Sequence, residues 1–391
     1  MDLEILSILA FFGILGAIII IDRKNIEFGL MLIRRTQKGK KKIKAFALKH
    51  KKFFNIFANI GVLVAILLSI FGFVYLFRGT GVRLILPKVF PGEVSEGVQR
   101  VVFFMPLWYW VIGLFIIIIP HELFHGFLFA LEKIKIKSVG FFLFLIFPGG
   151  FVEPDEEQFA NSKPVKRMRI AAVGSIANVC VFSLLIILTG LFTRIFYEGV
   201  GIQVYAIENE DYPANQINLT GVITEINGIK IRNLDQFQNF LDTTQPGDEI
   251  RIKTLEKTYN LTLIEHPSEP GKGFMGISII PPTFLNKIFG GDPNIHYEIR
   301  ENFPDYLESI ISWFNGLINW VGIISISVAV ANLLPFLPFD GGIIWQAIFE
   351  KITKNKKLSK KMIIGLSAIT YTLLVLSFVD IAGLLGKLGL L

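Results

Sequence analysis

Residues 105–130, MPLWYWVIGLFIIIIPHELFHGFLFA, put two imidazoles and a carboxylate inside a stretch long and apolar enough to cross a membrane as a helix. Positions i and i+4 of a helix share a face, so His121 and His125 can reach one metal ion. Glu122 stands beside them, where it can serve as general base towards a metal-bound water. Ionisable groups in hydrocarbon are costly and by default mark a functional site. The plain alternative is three polar groups satisfied by neighbouring helices.

Composition supports the membrane. Only 18% of the 391 residues are charged, 52% are hydrophobic and 37 are phenylalanine. A soluble chain carries about a quarter charged residues. The net charge of +7 comes from clustered lysines, which argues for membrane topology and against a nucleic-acid partner. One cysteine, Cys180, excludes a disulfide framework and thiolate ligation of zinc. The chain has five histidines, which makes two of them four residues apart more telling.

Taken in order, residues 3–21 are long enough to span and lack the basic start and small-residue cleavage site of a signal peptide. Residues 23–52 carry twelve Lys or Arg and read as a cytoplasmic loop lying against anionic lipid. Residues 54–77 form a second span running outward, and 105–130 return inward. The apolar run 139–153 is short and interrupted by Pro148-Gly149-Gly150, so a membrane-embedded hairpin or re-entrant loop is expected. A basic cluster at 163–169 precedes a fourth, outward span over 168–193, which holds Gly174-Ser-Ile-Ala-Asn178. An asparagine at that depth needs a hydrogen-bonding partner.

Residues 199–280 change character and read as a compact soluble module with strands at 221–226, 249–255 and 258–264. Asn227-Gly228 marks a turn, and 233–242 a short helix. Residues 281–308 read as a surface connector, and 309–331 as a fifth span running inward to Asn332-Leu-Leu-Pro-Phe-Leu-Pro-Phe-Asp340-Gly-Gly. Six lysines between 351 and 361 are again cytoplasmic, and 362–386 form a sixth span.

A catalytic zinc site has three protein ligands and an open position. No third histidine lies in a membrane segment, so the carboxylates of Asp340 and Asp380 are the candidates. Asp340 is preferred, because Pro335 and Pro338 break the helix before it and free backbone groups to face a cavity. Asp380 reads as a partner-bonded or peripheral acid. One Zn²⁺ held by His121, His125 and Asp340, with Glu122 as base, would hydrolyse a peptide bond. Asn178, Asn332 and the Gly149–Gly150 hairpin are the candidates for bonding an unwound substrate backbone.

With His-Glu-Leu-Phe-His at 121–125 and Asn-Leu-Leu-Pro…Phe-Asp-Gly-Gly at 332–342, the chain resembles the site-2 protease family of intramembrane zinc metalloproteases. Gly174-Ser-Ile-Ala-Asn178 resembles that family's Gly-Pro-x-x-Asn element with Ser175 in place of proline, and Gly149-Gly150-Phe-Val152 its glycine-containing hairpin. The 199–280 module looks like the PDZ domains that many members insert, Val222-Ile-Thr-Glu-Ile-Asn-Gly being typical in form. The resemblance implies an α-helical polytopic membrane protein of about six transmembrane helices, with a small inserted α+β PDZ-like domain and a membrane-embedded hairpin. The expected division is 1–104, a two-span region; 105–198, the first catalytic half; 199–280, the extracytoplasmic domain; 281–308, the connector; and 309–391, the second half. It further implies cleavage of transmembrane protein substrates within the lipid bilayer, with peptide termini as possible ligands of the PDZ-like domain. The alternatives are a catalytically inactive PDZ-bearing membrane scaffold and a metal transporter. The presence of Glu122 with both histidines argues against the first, and the lack of repeated halves against the second.

Overall fold

The computed structural model describes residues 3–78, 82–90, 102–145, 147–280 and 293–378. Asp380, the end of the expected sixth span and residues 281–292 of the expected connector lie outside them. The chain divides into two compact units, Met1–Leu185 with Gly316–Leu391, and Ile186–Asn315.

The first unit opens with helix α1 (Leu3–Ile21), strands β1 (Ile26–Phe28) and β2 (Leu32–Thr36), and helices α2 (Lys40–Lys49) and α3 (Lys51–Phe77). Strands β3 (Leu84–Lys88) and β4 (Val102–Pro106) pair in parallel ahead of α4 (Leu107–Leu131), the helix of the two histidines. Then come β5 (Ile136–Phe144), β6 (Phe147–Pro154), the short α5 (Glu156–Ala160) and the long α6 (Pro164–Phe196).

Strands β5 and β6 form the expected hairpin, paired antiparallel from Phe144–Phe147 to Ile136–Pro154. The basic segment 23–52 is not the solvated loop expected of it. Its β2 pairs with β5 from Leu32–Leu143 to Thr36–Val139, giving a sheet in the order β1-β2-β5-β6. The lysine-rich α2 buries Ile43 and Ala47, an i,i+4 pair that charge counting hides, in one core with Phe127 and Leu128 of α4.

In the second unit the strands are β7 (Tyr197–Gln203), β8 (Tyr205–Ala206), β9 (Val222–Ile226) and β10 (Ile229–Lys230), with the single-turn helix α7 (Pro213–Gln216) between β8 and β9. Helix α8 (Leu234–Leu241) leads to β11 (Glu249–Thr254), β12 (Thr258–Thr262), β13 (Ile264–His266), β14 (Glu269–Phe274), β15 (Ile277–Ser278) and β16 (Ile295–Ile299). The main sheet runs β12-β11-β9-β7-β16, with β10 folded back on β9 across the Asn227-Gly228 turn. Both turn residues have positive φ, 50° and 83°, the backbone that an Asn-Gly hairpin supplies at low cost. Asn233 caps α8 by accepting from the Gln236 amide at 2.9 Å. The connector reading of 281–308 fails at 295–299, which pairs with β7 from Ile295–Ile202 to Ile299–Tyr197 as a strand of this sheet.

The chain returns through α9 (Asp305–Leu333), α10 (Asp340–Thr353) and α11 (Lys356–Ser377). Among the described residues five helices, α3, α4, α6, α9 and α11, are long and apolar enough to cross a membrane; the apolar run described in α1, Ile5–Ile21, is shorter. Between the buried Phe54 and Leu76 near its ends, the buried positions on α3 are Ala58, Gly61, Ala65, Ser69 and Gly72, one small residue per turn, while Ile60, Leu63, Leu67 and Phe71 are exposed. This is the inverse of a soluble helix: small side chains let neighbours approach and large ones face lipid. A Cβ on Gly72 would lie 3.0 Å from Val330 of α9, and one on Gly61 3.5 Å from Ile176 of α6.

The second unit has a conventional apolar core in which Phe237 is 1% exposed among Ile202, Ile223, Ile226 and Ile252. Phe237→Ala is expected to destabilise this unit by about 3–5 kcal/mol. Amide hydrogen exchange across β9 and β11 of the detergent-solubilised chain should accelerate accordingly, and unchanged protection would remove Phe237 from the core.

Candidate metal centre and active site

Helix α4 carries His121, Glu122 and His125, and α10 begins at Asp340. Both rings are nearly buried, each 9% exposed. His121 Nε2 and His125 Nε2 lie 3.2 Å apart. Each faces one carboxylate oxygen of Asp340, Oδ2 and Oδ1 respectively, at 3.5 Å. Among the described residues this is the group of His, Cys, Asp and Glu whose ligand atoms converge, all within 4.8 Å of one another. Two imidazole nitrogens and a carboxylate match the donor number and type of a catalytic zinc site.

The hydrogen bonds test that fit. His125 Nδ1–H donates to the Ile170 carbonyl at 2.7 Å, which leaves the Nε2 lone pair pointing at the cluster. Ile170 belongs to α6, and so do the other side chains behind the cluster. Ser175 Oγ donates to Asp340 Oδ2 at 2.9 Å. Gly174 lies directly beneath the His125 ring, and a Cβ there would overlap the imidazole. Glu122 accepts the amide of Val152, on β6, at 3.1 Å. A cavity of about 150 Å³ lies beside it, lined by Glu122, His125, Asp340, Phe129, Val152 and Phe159 among others.

Asp340 reaches this point because α9 stops at Leu333 and the chain restarts a helix seven residues later. The break leaves no amide unsatisfied. Leu334, Phe336 and Phe339 donate to the carbonyls of Ala331, Leu334 and Phe336, Leu337 donates to Ser367 Oγ at 3.0 Å, and Pro335 and Pro338 have no N–H. Non-helical backbone at membrane depth requires this accounting. Gly341 and Gly342 lie so close to the Leu333 and Phe336 carbonyls that a Cβ on either would overlap them.

The remaining expected site residues are dispersed. Gly149 and Gly150 lie on β6, and a Cβ on Gly150 would lie 3.0 Å from Ile118 and 3.6 Å from the Glu122 Cγ. Asn332 is half-buried in the last turn of α9, and among the described residues no hydrogen bond joins its side chain to the cluster. Asn178 is fully buried, with its amide 3.2 Å from His121 Nδ1. Sequence reasoning missed the Ile170 carbonyl and the Ser175 hydroxyl. The spacing 170, 174, 175, 178, which is one face of a helix, was the available signal.

Gly174→Ala should displace the His125 ring and abolish stoichiometric zinc retention after dialysis. Ser175→Ala leaves all three ligands in place and should weaken zinc by about tenfold in chelator competition, at the low end of what outer hydrogen bonds contribute. Full zinc retention by the alanine at 174 would contradict the geometry.

A model of peptidase family M50 matches residues 109–377. An uncharacterised protein of Methanocaldococcus jannaschii is 31% identical over 340 residues, 85% of this chain and 82% of that one. A putative zinc metalloprotease of Clostridium acetobutylicum is 22% identical over 68% of this chain and 94% of its own. The zinc metalloprotease RasP of Shouchella clausii is 23% identical over 60% and 63%. With the family match spanning both histidines and Asp340, the chain belongs to peptidase family M50, the site-2 protease family of membrane zinc metalloproteases.

Proposed function

We propose that this metalloprotease hydrolyses peptide bonds in or near transmembrane segments of membrane proteins, with His121, His125 and Asp340 holding zinc and Glu122 as general base. The observation that carries the reading is the convergence of two imidazoles from a helix apolar enough to span a bilayer with the carboxylate that opens the short helix α10. Zinc, when bound, supplies Lewis-acid polarisation of water and of the scissile carbonyl. The protein supplies the rest. Glu122, anchored by the Val152 amide, lines the same cavity as His125 and Asp340 and takes the proton of the attacking water.

A transmembrane helix must unwind before its carbonyls can be attacked, and the unwound strand needs backbone partners. In the order β1-β2-β5-β6, strand β2 occupies one edge of the hairpin and β6 is the outer strand on the Glu122 side. A substrate strand added along β6 would pass beside the base, which supports β-strand addition as the mode of binding. Gly149 and Gly150 leave two successive positions of β6 without side chains. Asn332 is a candidate to bond the far side of the substrate.

The lysine-rich segments, 38–52, 163–169 and 351–361, fall on one side if each apolar helix crosses once, which supports a cytoplasmic placement for them and an extracytoplasmic one for the β-rich unit. Its Val-Ile-Thr-Glu-Ile-Asn-Gly strand and turn, followed by α8, support a PDZ-like domain over 199–280, extended by β16. Such a domain can bind peptide termini or limit substrate size.

Glu122→Gln is expected to keep its zinc and to lower cleavage of single-span peptides in detergent by about 10²–10⁴-fold. A variant that keeps both zinc and full activity would remove Glu122 from the reaction. For topology, with Cys180 replaced, single cysteines at Lys42 and Lys257 should react with impermeant maleimide from opposite membrane faces. Labelling of both from one face would reverse the assignment.

A further inference from the structure

We infer that Asn178 is a positioning residue for the metal centre and not a substrate contact: its amide oxygen accepts a hydrogen bond from His121 Nδ1–H and so holds that ring in the tautomer that can ligate through Nε2. The inference rests on the proposed ligand set of His121, His125 and Asp340.

The geometry leaves Asn178 little else to do. It is 0% exposed. Its amide meets His121 Nδ1 at 3.2 Å, and its own backbone carbonyl is held by Ser325 Oγ at 2.8 Å, tying this turn of α6 to α9. The cavity beside Glu122 and Asp340 is lined by other residues, so a substrate backbone there does not reach the amide.

The direction of the bond follows from coordination chemistry. With Nδ2 facing the ring, Nδ1 is the acceptor and the imidazole proton sits on Nε2. That nitrogen is the one directed at His125 Nε2 and Asp340 Oδ2, at 3.2 and 3.5 Å, and with a proton on it the ring offers no lone pair to a metal. Rotation of the amide by 180° about Cβ–Cγ exchanges nitrogen for oxygen and moves nothing else. Oδ1, a buried atom otherwise without a partner, then accepts from Nδ1–H, and Nε2 faces the cluster with its lone pair. Either rotamer leaves one amide atom unpartnered, so hydrogen-bond counting does not choose between them; coordination does. The rotated state makes the two histidines alike, since His125 already donates Nδ1–H to an oxygen of the same helix, the Ile170 carbonyl. Metal-ligating histidines commonly donate their other N–H in this way, and losing such a partner lowers metal affinity by about 10–100-fold.

The test is zinc affinity of the purified full-length protein in detergent, read by competition with a chelator of known affinity. Asn178→Leu is expected to lose about 10–100-fold, whereas Asn178→Asp, which keeps an acceptor oxygen, should stay within about threefold of the parent. At saturating zinc, the KM of Asn178→Asp for a single-span peptide should equal that of the parent. Unchanged zinc affinity in Asn178→Leu overturns the inference, as does a raised KM with zinc affinity intact, which would make Asn178 a substrate contact. Should the leucine variant not fold, Asn178→Asp decides alone: a tenfold loss of zinc affinity overturns it. A parent protein that holds no zinc would instead refute the ligand set itself, a result separable from any difference between the variants.

Discussion

Three ligands on two different helices can meet at one point only if something behind them fixes how each is turned. Here that is one face of α6. Residues 170, 174, 175 and 178 present in succession a carbonyl to His125, an absent side chain beneath its ring, a hydroxyl to Asp340 and an amide to His121. The i, i+4, i+5, i+8 spacing makes this one stripe, so all three ligands are referenced to the same rigid element. The two histidines, four residues apart on α4, need a partner surface that is close at one ring and polar at both. Glycine provides the first, and the carbonyl and amide the second.

The same economy governs the backbone. A helix interior offers no acceptor to an attacking group and no free N–H to a substrate, so a protease in hydrocarbon must contain irregular chain and still satisfy it. The segment 334–339 does so with two prolines, three local bonds and the hydroxyl of Ser367. The outcome is Asp340 as the first residue of a new helix, where unpaired amides and the helix dipole favour a negative carboxylate. The sheet meets the same requirement differently. Strand β2 covers one side of the hairpin, and the amide of Val152 on β6 is given to Glu122.

Much of this was legible in the sequence, and what was not has a common cause. The long apolar helices, the shared face of His121 and His125, the carboxylate that meets them, the hairpin and the Asn-Gly turn are each written in contiguous residues, by period or by turn chemistry. The basic segment 23–52 was read by its charge, because Leu32, Ile33, Ile43 and Ala47 are sparse among lysines and arginines. Their burial depends on partners about 80 to 110 residues away. Strand β16 was likewise invisible, since Ile295–Ile299 is recognisable as a strand only beside β7. The outer shell of the metal centre escaped for a different reason. A main-chain carbonyl carries no residue type, and Asn178 was read for the backbone it could bond and not for the ring it faces.

Ser175 shows what that shell adds beyond the ligands. Alanine or proline at this position would have no hydroxyl to donate. Serine gives Asp340 Oδ2 a donor at 2.9 Å, on the oxygen nearer His121, while Oδ1 remains towards His125. A carboxylate with one oxygen engaged loses rotational freedom about Cβ–Cγ, so the ligand is preset rather than swung into place on binding. Ser175 thus acts on Asp340 from within its helix, and the arrangement works because the stripe of α6 that lies close to Asp340 is also the one that is polar.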